Sequence, residues 1–412
     1  MKILHINCSD VGSTGKIIRD ISKRAAERGY SSVLLCPKLT APTEPFLKKE
    51  GVCMSLERGL YRRLTYVIGL QYGFAPLSTS KIIKTIKREK PDVVHLQSPN
   101  CNMANLYRIF RFLGKQKIPT VITNHSEYFY TGSCAHAKEC DRWHIGCGRC
   151  PRLFEASGSK LFDRTHLAWK KMKRSISKLD KVVVTSVSPW VHSRSVTSPI
   201  LDGIKQVTVA NGLDTEVFGV KQTNLRRTLG IKDSTRVILH ITALFDVNDT
   251  DSKGGRYVVH LAERFKGEDV VFVVLGKATE ENKKAVGEYS NIMYIGSVSD
   301  QSLLAEYYSM ADVTVIASAR ETFSMPVAES LCCGTPIVGF KAGGPESIAL
   351  AEYSEFTEPG DVDGLEKILR SQWLEFKRSS SAQEISEAAT RVYSGELMAD
   401  KYIEIYEELT SQ

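Results

Sequence analysis

Apolar residues fall into short β-branched runs of about five residues, separated by longer stretches in which they recur every three or four positions. The runs Lys2–Ile6, Ser32–Cys36, Asp92–Leu96, Thr120–Thr123 and Lys181–Thr185 predict strands, with a helix over Gly15–Gly29 and further helical patterns between the others. The pattern restarts in the second half at Arg236–Thr242, Val270–Leu275, Asn291–Ile295, Val313–Ala317 and Pro336–Gly339. Strand alternating with helix argues for parallel sheets covered on both faces. The expected fold class is therefore α/β, with two doubly wound domains over 1–208 and 209–395. The join falls near Val209–Leu213, and a final helix, 396–412, carries Met398, Tyr402, Ile405 and Tyr406 at helical spacing and is expected to pack back across the join.

Length agrees, since 412 residues fit two domains of roughly 150–200 residues each. No apolar run approaches the ~20 residues of a membrane span. The start, Met1 to Ile6, reads as a first strand rather than a leader, and the expectation is a cytoplasmic protein. The net charge of +8 conceals a division: residues 1–210 hold 35 Lys and Arg against 15 Asp and Glu, while 211–412 hold 20 against 32. Much of the basic excess lies in Arg58–Lys90 and Lys160–Lys181, including Arg62-Arg63, Lys87-Arg88, Lys170-Lys171 and Lys173-Arg174. Such clusters suit an anionic membrane surface or phosphorylated substrates, and solvated helix faces would look the same. Nucleic acid is disfavoured because no recognised nucleic-acid module accompanies the charge.

Ligands of open α/β sheets gather at the carboxyl ends of strands, so the loops there carry the candidate chemistry. Glu321 and Glu329 stand eight residues apart around a turn that opens a helix at Pro326 and closes it at Gly334. The first amides of such a helix can hold a diphosphate, with small Ser324 allowing close approach. Glu321 is placed for sugar hydroxyls and Glu329 for a ribose. Lys253, before Gly254-Gly255-Arg256, is placed to neutralise a departing diphosphate. Asp249 and Asp251 form a DxD that suits Mg²⁺ in principle, but protein cations and helix dipoles already serve the diphosphate. Gly343-Gly344 allows backbone contact with a ligand, or forms a plain turn. In the first half, Gly12-Ser13-Thr14-Gly15 is a small-residue turn suited to a phosphate or sugar, although neither a dinucleotide fingerprint nor a Walker A. His125 follows a strand and is placed to hydrogen-bond a sugar, or is structural.

Four of the ten cysteines, Cys134, Cys140, Cys147 and Cys150, fall in one insertion at 131–151 with His136 and His144 between them. Structural Zn²⁺, two disulfides and free thiols all fit this pattern, and a closed four-Cys zinc site would have no open position for catalysis. Cys8, Cys36, Cys53, Cys101, Cys332 and Cys333 read as core.

Together these residues resemble the retaining glycosyltransferases called group 1 or family 4, which have the GT-B fold of two Rossmann-like domains facing an interdomain cleft. The resemblance covers nearly the whole chain. Glu321–Glu329 looks like that family's E-x7-E motif, supported by Lys253-Gly254, Asn211-Gly212-Leu213-Asp214 and Gly343-Gly344-Pro345-Glu346. The Thr131–Pro151 insertion is similar to one in bacterial members that build exopolysaccharide, capsule or lipopolysaccharide. The resemblance implies an acceptor-binding first domain, a nucleotide-diphospho-sugar held by the second, and no metal required for catalysis. It assigns Glu329 to the ribose, Glu321 to the transferred sugar, the Phe323 and Ser324 backbone to the diphosphate, Lys253 to the leaving group, His125 to the sugar and Gly12–Gly15 to the acceptor border. Gly343 and Gly344 are implied donor contacts. Two departures stand out: no Arg precedes the Lys253-Gly254 pair within Thr242–Asp246, leaving Arg256 or Arg320 to replace it, and Ser324 occupies the usual Gly position. The implied activity is transfer to a glycan or lipid-linked oligosaccharide, at the inner face of a plasma membrane. A GT-B epimerase and a non-catalytic sugar-nucleotide binder are the alternatives.

Overall fold

The computed structural model describes residues 1–53, 55–100, 102–248, 253–379 and 381–411. The chain forms two compact units, one of residues 1–210 with 396–412 and the other of 211–395. The join lies two residues beyond the expected boundary because Val209 is buried in the first unit's core.

In the first unit, β1 (Lys2–Asn7), β2 (Ser31–Cys36), β3 (Leu47–Gly51), β4 (Val93–Ser98), β5 (Thr120–Asn124), β6 (Val182–Ser186) and β7 (Lys205–Thr208) form one parallel sheet in the order β3-β2-β1-β4-β5-β6-β7. The second contains β8 (Arg236–Leu244), β9 (Val270–Lys277), β10 (Ile292–Gly296), β11 (Val313–Ile316), β12 (Ile337–Phe340) and β13 (Ser354–Thr357), also parallel, in the order β10-β9-β8-β11-β12-β13. The sequence runs mark every interior strand to within about two residues, the usual uncertainty of element ends. Three edge strands, β3, β7 and β13, escape them. Each is partly exposed and lacks a continuous apolar run, since a sheet edge needs burial on fewer sides.

The C-terminal helix, Gly395–Ser411, belongs mostly to the first unit. Its Met398, Tyr402 and Tyr406 are buried among Ile3, Ile17, Val93, Val121 and Val183, while Ile405 is only partly buried. A bidentate pair from Arg24 to Asp400, 2.8 and 2.9 Å, fixes it to the helix after β1. Beneath it runs a buried polar chain. His95 makes hydrogen bonds of 2.6 Å to the Tyr406 hydroxyl and 2.7 Å to Thr123 Oγ1, and Gln97 Nε2 lies 3.2 Å from His95 Nδ1. His5 stands beside His95 with ring centroids 5.5 Å apart, and neither of its ring nitrogens has a hydrogen-bond partner among the described residues.

Burial holds the His5 pKa down to about 3 and that of His95 well below the ordinary value of 6.5. An unfolded chain takes up these protons as pH falls below about 6.5 while the folded one resists. The stability these neutral rings allow is therefore complete above pH 6.5 and is lost as the pH drops towards the folded values. Below pH 6.5 we expect the unfolding free energy to fall with a slope that steepens towards about 1.4 kcal/mol per pH unit for each of the two rings by pH 5. Denaturant melts across this range should show the slope reduced in His5→Leu; an unchanged slope would show that His5 is protonated in the fold.

Candidate functional site

The second sheet has one point at which the chain leaves in opposite directions, between β8 and β11. From β8 the chain continues outward through β9 and β10, and from β11 through β12 and β13, so the loops after β8 and β11 diverge and leave a crevice. Lys253 lies on the first loop and Glu321 on the second. Lys253 Nζ donates to Glu321 Oε1 at 2.5 Å, with both side chains still partly open to solvent. The structure thus joins two predicted site residues 68 positions apart.

Close backbone packing holds the loops in register. At Gly254, φ is +81°, and a Cβ would lie 2.0 Å from the Ala317 carbonyl oxygen just past β11. No side chain fits there. The Glu321 loop is stitched to the loop after β12 by hydrogen bonds from Glu321 N to Ala342 O, 3.0 Å, and from Gly344 N to Glu321 O, 2.9 Å. A Cβ on Gly344 would meet Thr322 and Phe323 backbone at 2.6 Å.

The amides of Gly343 and Gly344, expected to offer backbone contacts to a donor, already have partners within the loops. The Gly343 amide donates to the Glu346 carboxylate at 2.8 and 3.0 Å, and the Gly344 amide is taken by Glu321. Gly344 also lets the two loops touch. Glu346 was visible in the sequence, but its reach back to the Ala342 and Gly343 amides depends on the turn geometry.

Glu321 leads through buried Phe323 into the helix Met325–Cys332, with Pro326 in its first turn and no side-chain cap at its start. Ser324, which precedes the helix, has φ +78°, a left-handed conformation that costs an ordinary residue about 1–2 kcal/mol and that the expected Gly would adopt freely. Glu329, one turn in, accepts a 2.9 Å hydrogen bond from the Tyr308 hydroxyl. Tyr308 is fully buried on the helix Gln301–Met310, and its pKa is raised by burial and then by the Glu329 charge, so it stays a donor. Only its helical spacing shows in the sequence, which marks it as core. Arg256 donates to the Tyr257 hydroxyl at 2.6 Å and lies over that ring. The DxD at Asp249 and Asp251 lies outside the described residues.

In the first unit Gly12, Ser13, Thr14 and Gly15 form the opening turn of the helix Gly12–Glu27, three residues earlier than the spacing predicts. Thr14 Oγ1 accepts from Asn7 Nδ2 at 3.0 Å, and a Cβ on Gly15 would stand 2.6 Å from the Asp10 carbonyl carbon. Burial raises the Asp10 pKa, but hydrogen bonds from the Thr40 hydroxyl and the Thr40 and Ala41 amides bring it below its usual value overall. His125, just past β5, donates through Nε2 to Gln97 Oε1 at 2.6 Å, and burial lowers its pKa to about 4. It is a neutral ring at physiological pH.

Cys134, Cys140, Cys147 and Cys150 all line one cavity of about 20 Å³, together with Trp143. None is in a disulfide. Burial, then the neighbouring thiols, push Cys134 and Cys147 up to about 12. Among the described residues no three His, Cys, Asp or Glu side chains are placed as a metal-ligand set, so the zinc reading has the shared cavity in its favour and not a ligand geometry. The His144 ring lies against Trp143, tilted by 30° with centroids 3.6 Å apart. Cys36, Cys332 and Cys333 are buried as core, Cys8 and Cys53 are half-buried, and Cys101 lies outside the described residues.

Two family models match, Glycosyltransferase Family 4 over residues 14–217 and Glycosyl transferases group 1 over 221–392. The chain is 21% identical to the putative colanic acid biosynthesis glycosyl transferase WcaC of Escherichia coli K12, over 80% of each chain. It spans 59% and 56% of the length of two further curated relatives. Among solved structures it is similar to sucrose-phosphate synthase of Thermosynechococcus elongatus, with TM-score 0.69 and 14% identity over 100% of this chain and 99% of that one. It is also similar to Anabaena Alr3699/HepE in complex with UDP-glucose, with TM-score 0.65 and 16% identity over 100% of both. At these identities the structural likenesses bear on the fold, which is GT-B. With its two halves matched by the two models, the chain belongs to the group 1, family 4 glycosyltransferases.

Proposed function

We propose that the protein transfers a sugar, with retention of anomeric configuration, from a nucleotide-diphospho-sugar to a glycan or lipid-linked oligosaccharide during surface polysaccharide synthesis. The observation that carries this reading is the Lys253–Glu321 pair at the β8/β11 switch point, beside an uncapped helix start. The helix start and Lys253 suit a diphosphate, while Glu321, released from Lys253 as the anion arrives, accepts from sugar hydroxyls. Glu329, oriented by Tyr308, accepts from the ribose. In the reaction the bond from the anomeric carbon to the diphosphate oxygen breaks and one to the acceptor oxygen forms. The acceptor's proton passes to the departing diphosphate, whose charge Lys253 stabilises. A UDP-sugar is the donor class favoured, since HepE was solved with UDP-glucose, and the colanic acid relative favours a polysaccharide acceptor.

We place the acceptor on the first unit, at an anionic membrane surface on the cytoplasmic side. Among the described residues no helix is long and apolar enough to cross a membrane. The first unit does expose Leu56, Leu60, Tyr66, Leu161 and Phe162 near Arg62, Arg63 and Lys160, a mixture suited to the boundary between headgroups and acyl chains.

A thermal-shift screen of nucleotide-sugars should find one that stabilises the protein by about 2.7 kcal/mol at a hundred times its dissociation constant. Nucleotide should be released only when acceptor is supplied; turnover to an isomeric donor without acceptor would indicate an epimerase instead.

Lys253→Ala and Glu321→Ala remove partly exposed side chains, so both variants should fold. Each is expected to lower kcat/KM by about 10² or more, the usual scale for losing one group that stabilises transition-state charge. Unchanged turnover in either would remove that residue from the reaction.

A further inference from the structure

We propose that Gln97 is a positioning residue that holds His125 in the tautomer with its proton on Nε2, so that the ring meets a sugar hydroxyl through Nδ1 as an acceptor; the assignment to a sugar rests on the transferase reading above. Gln97 lies near the carboxyl end of β4, and His125 lies just past the carboxyl end of β5, the neighbouring strand. Residues two apart along a strand share one face of the sheet. On β4 that face carries Val93, His95 and Gln97, and on β5 it carries Val121 and Thr123. Val93 and Val121 pack in the core beside the C-terminal helix. Towards the carboxyl ends the face turns polar, and a chain of buried hydrogen bonds leads from Tyr406 on that helix to His125.

The direction of each bond follows from the inner end of the chain. Among the described residues the fully buried Tyr406 hydroxyl has one partner, His95 Nδ1 at 2.6 Å. A buried hydroxyl proton needs an acceptor, so Tyr406 donates and His95 Nδ1 carries the lone pair. The His95 ring, kept neutral by burial, then has its proton on Nε2 and gives it to Thr123 Oγ1, with Thr185 Oγ1 a further 2.7 Å on. Gln97 also faces His95 Nδ1, at 3.2 Å, and only its amide nitrogen suits that place, since an oxygen there would meet a lone pair. With Nε2 turned to His95, Gln97 Oε1 is turned to His125, 2.6 Å from its Nε2. An oxygen at that distance requires a proton on the ring nitrogen. Turning the amide over would only move the conflict to His95.

Gln97 is wholly buried, and His125 is half-buried. The His125 pKa is held down to about 4, so the ring is neutral and has a single proton to place. With that proton committed to Gln97, Nδ1 has a lone pair and cannot donate. A sugar hydroxyl can do either, and opposite this ring it must donate. Burial alone gives no reason for an amide at position 97, where an apolar side chain would avoid the cost of desolvating two polar groups. Those groups are met by two histidine rings, and the amide makes the state of one ring depend on the other.

Magnetic resonance of the full chain carrying nitrogen-labelled histidine reads the tautomer directly, with the His125 signals identified by their absence in His125→Ala. The unaltered protein should show the proton on Nε2, sheltered enough to give a visible line, and that line should broaden away in Gln97→Leu. A proton on Nδ1 in the unaltered protein, or an unchanged Nε2 line in Gln97→Leu, overturns the proposal. Kinetics give the second readout. Gln97→Leu should lower kcat/KM for the donor about tenfold, the scale of one lost hydrogen bond, and should cost nothing further when added to His125→Ala. Losses that add in the double variant would show a merely structural role and overturn it equally. Circular dichroism checks that Gln97→Leu folds; if it does not, Tyr406→Phe, which keeps the ring and removes only the hydroxyl that orders the chain, takes its place in both measurements with the same expected directions. A protein that shows the Nε2 proton and its loss in the variant, yet transfers no sugar, would retain the tautomer lock and reject the transferase reading.

Discussion

The chemistry of the second unit depends on one steric constraint, the approach of Gly254 to the Ala317 carbonyl. Parallel strands that part at a switch point leave their loops diverging, and something must bring them back within reach of one ligand. Here it is backbone laid on backbone at a position where a Cβ would stand 2.0 Å from an oxygen. Because Gly254 adjoins Lys253, the same contact that closes the loops also aims the ammonium at Glu321. Gly344 repeats the device one strand along, where the Glu321 loop meets the loop after β12. The site is thus built by omitting side chains at two positions so that charged ones at others can meet.

Ser324 shows what the arrangement tolerates. A left-handed conformation at a residue with a Cβ persists only when its surroundings determine it, and Ser324 is enclosed by the Glu321 loop on one side and the helix Met325–Cys332 on the other. That strain lies where a ligand anion would approach the helix start.

Interior strands were legible in the sequence because burial on both faces demands a continuous apolar run, and β1, β4, β5, β8, β9 and β11 each satisfy it. Strands β3, β7 and β13 were not, because an edge position lets Lys48, Lys205 and Glu355 occupy a strand without being buried on every side. For the site, the residue types Lys253, Glu321 and Glu329 could be read, since loops at strand ends carry chemistry. Their partners could not. Tyr308 resembles any aromatic on a buried helix face, and Glu346 resembles a surface carboxylate until the turn brings it onto the Gly343 amide. Gln97, which receives the His125 proton in a hydrogen bond, sits in a strand where sequence patterning reads only apolar and polar positions.

The division of charge along the chain also gains a physical meaning from the site at the β8/β11 switch point. Residues 211–412 hold 12 more acidic than basic residues, yet the site proposed for a diphosphate lies among them. Screening resolves this. At physiological salt the Debye length is about 8 Å, so a net charge spread over a domain matters less to a bound phosphate than one ammonium and one helix start in direct contact. Global repulsion instead slows the approach of anions that have no such contact, which favours a ligand that fits over one that is merely charged. Residues 1–210 are the converse case, with 20 more basic than acidic residues. Their excess attracts anions of every kind, so discrimination there must come from geometry rather than from net charge.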